Sequence, residues 1–174
     1  MHAAALMFGI TRVVDNSFEQ VVRQREAQVL RTAYRILGNW ADAEDVAQEA
    51  FLRLHRRGLD FPNEMTLGAW LYRVTANLCI DRTRTARSTD ELPDLASSLP
   101  SAEREMLRAE RKQRLMAALA TLPAKERAAV VLREIEGLPT SEVAQILGST
   151  EGTIRSQVSK AMIRLRTLLS REEI

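Results

Sequence analysis

The twenty residues from Gly152 to Arg171 carry Arg155, Lys160, Arg164, Arg166 and Arg171 and no acid. On a helical wheel Ile154, Val158, Ala161, Leu165 and Leu168 share one arc, and Arg155, Ser156, Ser159, Lys160 and Arg164 lie opposite. Such a helix is pinned by its apolar arc and offers its polar arc to a groove. Arg and Lys can bond guanine edges or phosphates there, and Ser can approach either. Thr153 stands at the amino end, where free backbone amides favour a phosphate. The competing reading is an amphipathic bundle helix that touches only solvent. A stretch this long without an acid weakens it.

A second segment with chemical potential is Asp42-Ala43-Glu44-Asp45-Val46-Ala47-Gln48-Glu49-Ala50-Phe51-Leu52. At helical spacing Ala43, Val46, Ala50 and Leu54 point inward, and Asp42, Asp45, Gln48, Glu49 and Leu52 fall on the other face. Paired carboxylates on a helix suggest a di-iron bundle, whose motif adds a His three residues after a Glu. Neither His2 nor His55 stands there, so the metal reading fails. An acidic face with an apolar Leu52 inside it suits a basic, partly apolar protein partner. A solvated acidic face near its own helix amino end is the equal competitor.

Around these two helices the chain is built for a small all-helical fold. Its 174 residues give room for one ordinary domain or two small ones. Apolar residues make up 45% and charged residues 28%, as in a soluble folded protein. The seven Gly and five Pro are too few to break many helices, and Ala, Leu, Arg and Glu outweigh strand formers. No apolar run approaches the roughly 20 residues that span a bilayer, so no stable membrane insertion is expected. The opening Met1–Phe8 has no basic leader or convincing cleavage site. Cys79 is the only cysteine, which excludes a disulfide framework within the chain, and with two histidines it leaves little for a zinc cluster. A reduced, cytoplasmic location is the expectation, with no cofactor.

The net charge is only +2 and the sequence pI about 9.0, but the charge is unevenly placed. Ser88 to Glu103 holds Asp90, Glu91, Asp94 and Glu103 and no Lys or Arg, whereas Arg82, Arg84 and Arg87 cluster with only Asp81 to relieve them. Local basic faces under a mildly basic average are the footprint of a nucleic-acid binder.

Helical periodicity predicts helices over Ser17–Leu37, Ala41–Arg57, Thr66–Arg87, Ala102–Thr121, Ala124–Glu136, Thr140–Leu147 and Glu151–Ser170. Gly38-Asn39, Gly58, Pro123, Gly137 and Gly148 separate them, and Thr66 is the expected cap of the third, whose buried stripe is Leu67, Leu71, Val74 and Leu78. Ser88–Ser101, with Pro93, Pro100 and several Ser and Asp, reads as a flexible linker. The expected architecture is therefore two small helical domains. Residues 1–16 form an extension, 17–87 the first domain, 88–101 the linker and 102–174 the second domain. In that second domain the short apolar helix with Val143, Ala144, Ile146 and Leu147, the turn at Gly148 and the longer basic helix follow the helix-turn-helix plan.

Two stretches bring a family to mind. Asp42 to Phe51, followed by Trp70-Leu71-Tyr72-Arg73-Val74-Thr75-Ala76-Asn77-Leu78-Cys79-Ile80-Asp81, resembles domain 2 of the extracytoplasmic-function (ECF) sigma factors of bacterial RNA polymerase. Leu122-Pro123, Val130-Val131-Leu132-Arg133-Glu134, Glu142-Val143-Ala144 and Gly152-Thr153-Ile154-Arg155-Ser156 resemble their domain 4. The resemblance runs from about Phe18 to Leu169, in the right order.

It implies a transcription initiation factor that binds core RNA polymerase, through the β′ clamp helices and the β flap, and confers promoter specificity. Asp45, Gln48, Glu49 and Leu52 would dock on the clamp helices. Asn63, Trp70, Arg73, Asn77 and Arg84 would meet the melted minus-10 element, where aromatic stacking and basic residues suit a single strand. Asp81 would anchor helices, since a carboxylate repels phosphate. Arg155, Ser156, Ser159 and Lys160 would read the minus-35 duplex, with Thr153 and Arg164 on phosphates. Gln157 departs from the family, which often has Arg there. The acidic linker would thread toward the RNA exit path. Family members are often held by an anti-sigma factor, and a linker of this length leads one to expect mobile domains. No nucleophile-and-base pair, glycine-rich phosphate loop or metal set is legible, so an enzyme is not expected. A stand-alone helix-turn-helix regulator and a carboxylate-bearing bundle enzyme are the rival readings.

Overall fold

The computed structural model describes residues 16–86 and 103–171. Among them there are helices and turns and no strand. The expected extension and linker lie outside the described residues. Helices α1 (Asn16–Leu37), α2 (Trp40–Arg57) and α3 (Glu64–Ala86) form the first unit. Helices α4 (Glu103–Ala120), α5 (Ala124–Val130), α6 (Thr140–Ile146) and α7 (Glu151–Arg171) form the second, and α5 runs on into a π turn, Val131–Ile135.

Local chemistry sets the helix ends. Gly38 and Gly58 close α1 and α2 at φ of +84° and +83°, a region other residues rarely adopt. The Asn39 side chain accepts the Asp42 amide at 3.0 Å and caps α2. The cap of α3 is Asn63, not Thr66. Asn63 Oδ1 accepts both the amide (2.9 Å) and the hydroxyl (2.7 Å) of Thr66, so α3 begins two residues earlier than expected. Asn is the stronger cap, and Pro62 before it already blocks the helix.

The first unit closes on Val29, Ala47, Ala50, Phe51, Leu54, Leu67 and Leu71, with Phe18, Phe61 and Trp70 packed around them. The second closes on Met116, Leu119, Leu122, Val130, Ala161 and Leu165. A third cluster belongs to both units. Ala33, Ile36, Ala43, Val46, Ala76 and Cys79 of the first meet Ala128, Ala129, Val131, Leu132, Val143, Ala144, Ile146 and Ile154 of the second. In this structure one unit is seated on the other. Many of the residues at this seam are alanines, which let helices approach closely and carry almost no signal in a hydropathy pattern.

Two polar groups fix the seam. Arg127 is buried, and its guanidinium donates to the carbonyls of Ile36 (2.7 Å), Ala120 (2.8 Å) and Leu122 (3.0 Å). One cation thus serves carbonyls at the carboxyl ends of α1 and α4 together, where the helix dipoles favour positive charge. Glu136, just past the π turn, accepts from Thr32 Oγ1 (3.1 Å), Arg35 Nη1 (2.6 Å) and Tyr72 OH (3.2 Å), all in the first unit. A single helix over Ala124–Glu136 was expected. The Glu136 amide instead bonds the Val131 carbonyl at 2.9 Å, five residues back, and the extra residue in that turn shifts where Glu136 emerges.

Candidate nucleic-acid and protein interfaces

In α2 the inward set is as read from the spacing, with Ala43, Val46, Ala50 and Leu54 buried. Outward stand Asp45, Gln48 and the 37%-exposed Leu52, with Asp42 and Glu49 half-buried. These carboxylates are organised rather than loose. Arg82 of α3 reaches across, Nε to Asp42 Oδ1 at 2.7 Å and Nη2 to Asp45 Oδ2 at 2.8 Å. Partial burial pulls the Arg82 pKa down, but the bonds to Asp42 and Asp45 outweigh it and hold the guanidinium firmly protonated. Glu49 pairs along the helix with Arg53 at 2.8 Å, and that bond keeps its carboxyl below the usual range. Arg82 is thus an α2–α3 anchor that the sequence reading missed; its place among Arg84 and Arg87 made it look like one more surface cation. Asp81 makes an ion pair with Arg84 at 3.3 Å within α3.

On α3 the residues Arg73, Asn77 and Arg84 lie exposed at spacings of four and seven, a single stripe down the helix. Trp70 is half-buried and meets Phe61 edge to face, with ring centroids 5.8 Å apart. Its ring is both core and rim. Asn63 is exposed at the head of α3, and it lines a cleft of roughly 340 Å³ with Val21, Leu59, Phe61, Glu64 and Leu67. Its lining is mixed, with the apolar Val21, Leu59, Phe61 and Leu67 beside the Asn63 amide and the Glu64 carboxylate, which Arg25 holds at 2.7 Å, so it offers both a surface for a flat heteroaromatic ring and polar groups for that ring's edge.

The second interface is α6–turn–α7. Val143, Ala144 and Ile146 are buried, Gly148 turns the chain at φ +58°, and Thr150 caps α7 by accepting the Thr153 amide at 3.2 Å. The amide of Thr153 is therefore engaged in the cap, and its exposed hydroxyl shares a hydrogen bond with Thr150 at 2.9 Å. Along α7 the residues Ile154, Ala161 and Leu165 are buried, with Val158 and Leu168 half-buried. Arg155, Ser156, Ser159, Lys160 and Arg164 are all exposed, and Gln157 sits half-buried beside them. Arg155 pairs with Glu151 at 2.7 Å, one turn back. Arg164 reaches Glu126 of α5 at 2.8 Å. The Arg155–Glu151 pair is exposed and contributes little, about 0–1 kcal/mol, so that guanidinium is open to exchange for a phosphate or a guanine, whereas Glu126 holds Arg164 from a largely buried position.

Cys79 lies buried in the shared cluster, and burial pushes its thiol pKa well above the ordinary range. Among the described residues no group of three or more His, Cys, Asp or Glu could hold a metal ion, and no helix is long and apolar enough to cross a membrane.

Residues 21–89 match the family described as Sigma-70 region 2, and residues 112–165 match Sigma-70, region 4. The chain is 37% identical over 161 residues to the ECF RNA polymerase sigma factor SigE of Mycolicibacterium smegmatis, covering 89% of this chain but 62% of that one. It is 34% identical over 153 residues to the ECF sigma factor SigM of Mycobacterium tuberculosis (88% and 77%). The RNA polymerase sigma-E factor of Streptomyces avermitilis is 35% identical over 161 residues (90% and 87%). Among solved structures, the Mycobacterium tuberculosis ECF sigma factor SigJ aligns with a TM-score of 0.59 at 28% identity, covering 86% of this chain and 52% of that one. The Bartonella quintana sigma factor RpoE, solved with the anti-sigma factor NepR, aligns with a TM-score of 0.66 at 23% identity (88% and 97%) and shares the fold.

Proposed function

The chain belongs to the ECF sigma factors of the sigma-70 family, and from that premise we propose how its surfaces divide the work of promoter recognition. Residues 17–87 act as the unit that binds core RNA polymerase and the minus-10 element. Residues 102–174 act as the unit that binds the minus-35 duplex and the β flap.

The observation that carries this reading is the exposed polar arc of α7, which after Glu151 holds no acid, held by a buried apolar arc on a helix-turn-helix. Arg155, Ser156, Ser159 and Lys160 stand toward the amino half of that helix, the part that helix-turn-helix proteins place against base edges. Thr153 and Arg164 flank them on phosphates. The acidic face of α2, with Asp45, Gln48, Glu49 and Leu52, docks on the β′ clamp helices. The cleft beside Asn63 takes an unstacked minus-10 base, and Trp70, Arg73, Asn77 and Arg84 track the adjoining strand. The polymerase supplies the chemistry; the chain supplies address and positioning and needs no cofactor. Its place of action is the cytoplasm. Regulation by an anti-sigma factor belongs to the same proposal, supported by RpoE solved with NepR.

Run-off transcription with purified core enzyme and a pool of promoters tests the whole reading. Promoter-dependent transcripts that require the chain are expected. Tight binding to one duplex by the chain alone, with no transcripts on adding core enzyme, would instead establish the stand-alone regulator.

A further inference from the structure

Arg57, the last residue of α2, is used in a way its sequence position hides. Its guanidinium carbon stands 3.9 Å from the centroid of the Phe61 ring and 5.8 Å from that of Trp70. Nη1 donates to the backbone carbonyl of Asp60 at 3.2 Å. The guanidinium thus lies against an aromatic face while one edge serves a loop carbonyl, and the planar stack is a geometry that an ammonium does not reproduce. The loop it holds, from Gly58 to Asn63, is fastened at its far end by the two bonds that Asn63 Oδ1 accepts from Thr66. Between the two fastenings lie Leu59 and Phe61, which with Asn63 line the cleft described above.

We propose that Arg57 is a positioning residue for base selection: it holds Phe61 and the Leu59–Asp60 backbone in the shape that lets the cleft discriminate among unstacked minus-10 bases. The inference rests on the reading that this cleft meets the minus-10 strand. An exposed arginine beside DNA would otherwise be taken for a phosphate contact, which binds all sequences alike. The two roles give opposite results.

The experiment uses the full chain assembled with purified core polymerase, a library of minus-10 variants and two salt concentrations. Arg57→Lys keeps the charge and loses the flat stack. It should shrink the preference between the best and next-best minus-10 base by about two- to fivefold, the scale of an exposed cation–π contact, and leave the salt slope as in the wild type. Arg57→Met should change the ranking in the same way. Asn63→Ser, which keeps a capping oxygen and removes the amide, checks the reading beneath the proposal. If Arg57→Lys ranks the library as the wild type does while Asn63→Ser shifts it, the positioning role is overturned and the cleft assignment stands. If no variant shifts the ranking, the cleft does not read the minus-10 strand and both are overturned. Uniform weakening in Arg57→Met with the salt slope lowered by about one, restored by Arg57→Lys, identifies a phosphate contact and likewise overturns the proposal.

Discussion

Replacing Arg127 by Met should strongly destabilise the protein, and the size of the loss follows from the bonds at the seam. The side chain is 6% exposed and donates to three carbonyls, one of them in the other unit. Hydrogen bonds to charged groups contribute about 1.5–3 kcal/mol each, so losing three removes roughly 4–9 kcal/mol. Against this, Met no longer has to bury a charge, and relief of that desolvation returns several kcal/mol, roughly half the loss. A net destabilisation of about 2–5 kcal/mol remains, a large share of the 5–15 kcal/mol that holds a typical domain. Urea unfolding of the full chain, followed by far-ultraviolet circular dichroism, measures it. Arg127→Lys should recover only part of the loss, because one ammonium cannot span carbonyls at the ends of two helices. If Arg127→Met unfolds within about 0.5 kcal/mol of the wild type, as surface changes do, the reasoning about the seam is wrong.

The acidic face of α2, the basic arc of α7 and two titratable groups each carry a further expected outcome. Changing Asp45 and Glu49 together to Lys should sharply reduce copurification with core polymerase while far-ultraviolet circular dichroism shows the helices retained; undiminished copurification would remove α2 from the docking surface. Arg155→Ala should flatten discrimination at one or two minus-35 base pairs, a cost of about 1–3 kcal/mol. Arg164→Ala should weaken all minus-35 variants alike, and holoenzyme binding to a minus-35 library at two salt concentrations separates the two cases. Cys79, buried and with its thiol held protonated at neutral pH, should resist a thiol reagent in the native chain and react on unfolding. Tyr72 is a related probe of pH. Burial raises its pKa above the ordinary value of 10.0, so the native state holds that proton longer than the unfolded chain. Its contribution is complete below the unfolded pKa and fades as pH climbs through the folded one, which pH-dependent urea midpoints would register.

The helices and their inward faces were readable because periodicity reports burial. Val46 and Leu54 in α2, Leu67 and Leu71 in α3 and Ile154, Ala161 and Leu165 in α7 are buried where the spacing put them. The exposed residues of α7 were readable for the same reason. What escaped were side chains whose partners lie far along the chain. Arg127 sits in Lys125-Glu126-Arg127-Ala128, a string that looks like a solvated helix face, and its distant partner, Ile36, is 91 residues away. Glu136 looks like the fraying end of a helix, and only the π turn carries it toward Thr32, Arg35 and Tyr72. Arg57 passed for an ordinary basic last turn because a stack on Phe61 depends on how the loop folds back, which residue types alone do not determine. The cap of α3 was misplaced by three residues for a simpler reason: Thr66 and Asn63 can both cap, and the choice turned on Pro62.

The shared core between the two units sets a condition of reach on the proposed function. Promoter elements centred near positions minus-10 and minus-35 are about 25 base pairs apart, roughly 85 Å along B-form DNA. A compact body of the described residues, 16–86 and 103–171, is only about 40 Å across. With Ile36, Cys79, Val131 and Ile154 gathered in one cluster, a chain held in this arrangement would not reach both of the proposed elements at once. Its apparent affinity for a whole promoter is therefore the affinity of the parted form multiplied by the fraction parted. Each 1.4 kcal/mol that the seam contributes lowers that fraction about tenfold. A scaffold that holds the units apart removes this discount without adding a single contact to DNA, so the alanine seam and its two polar fastenings would keep a free chain off promoters and reserve them for the chain already mounted on polymerase.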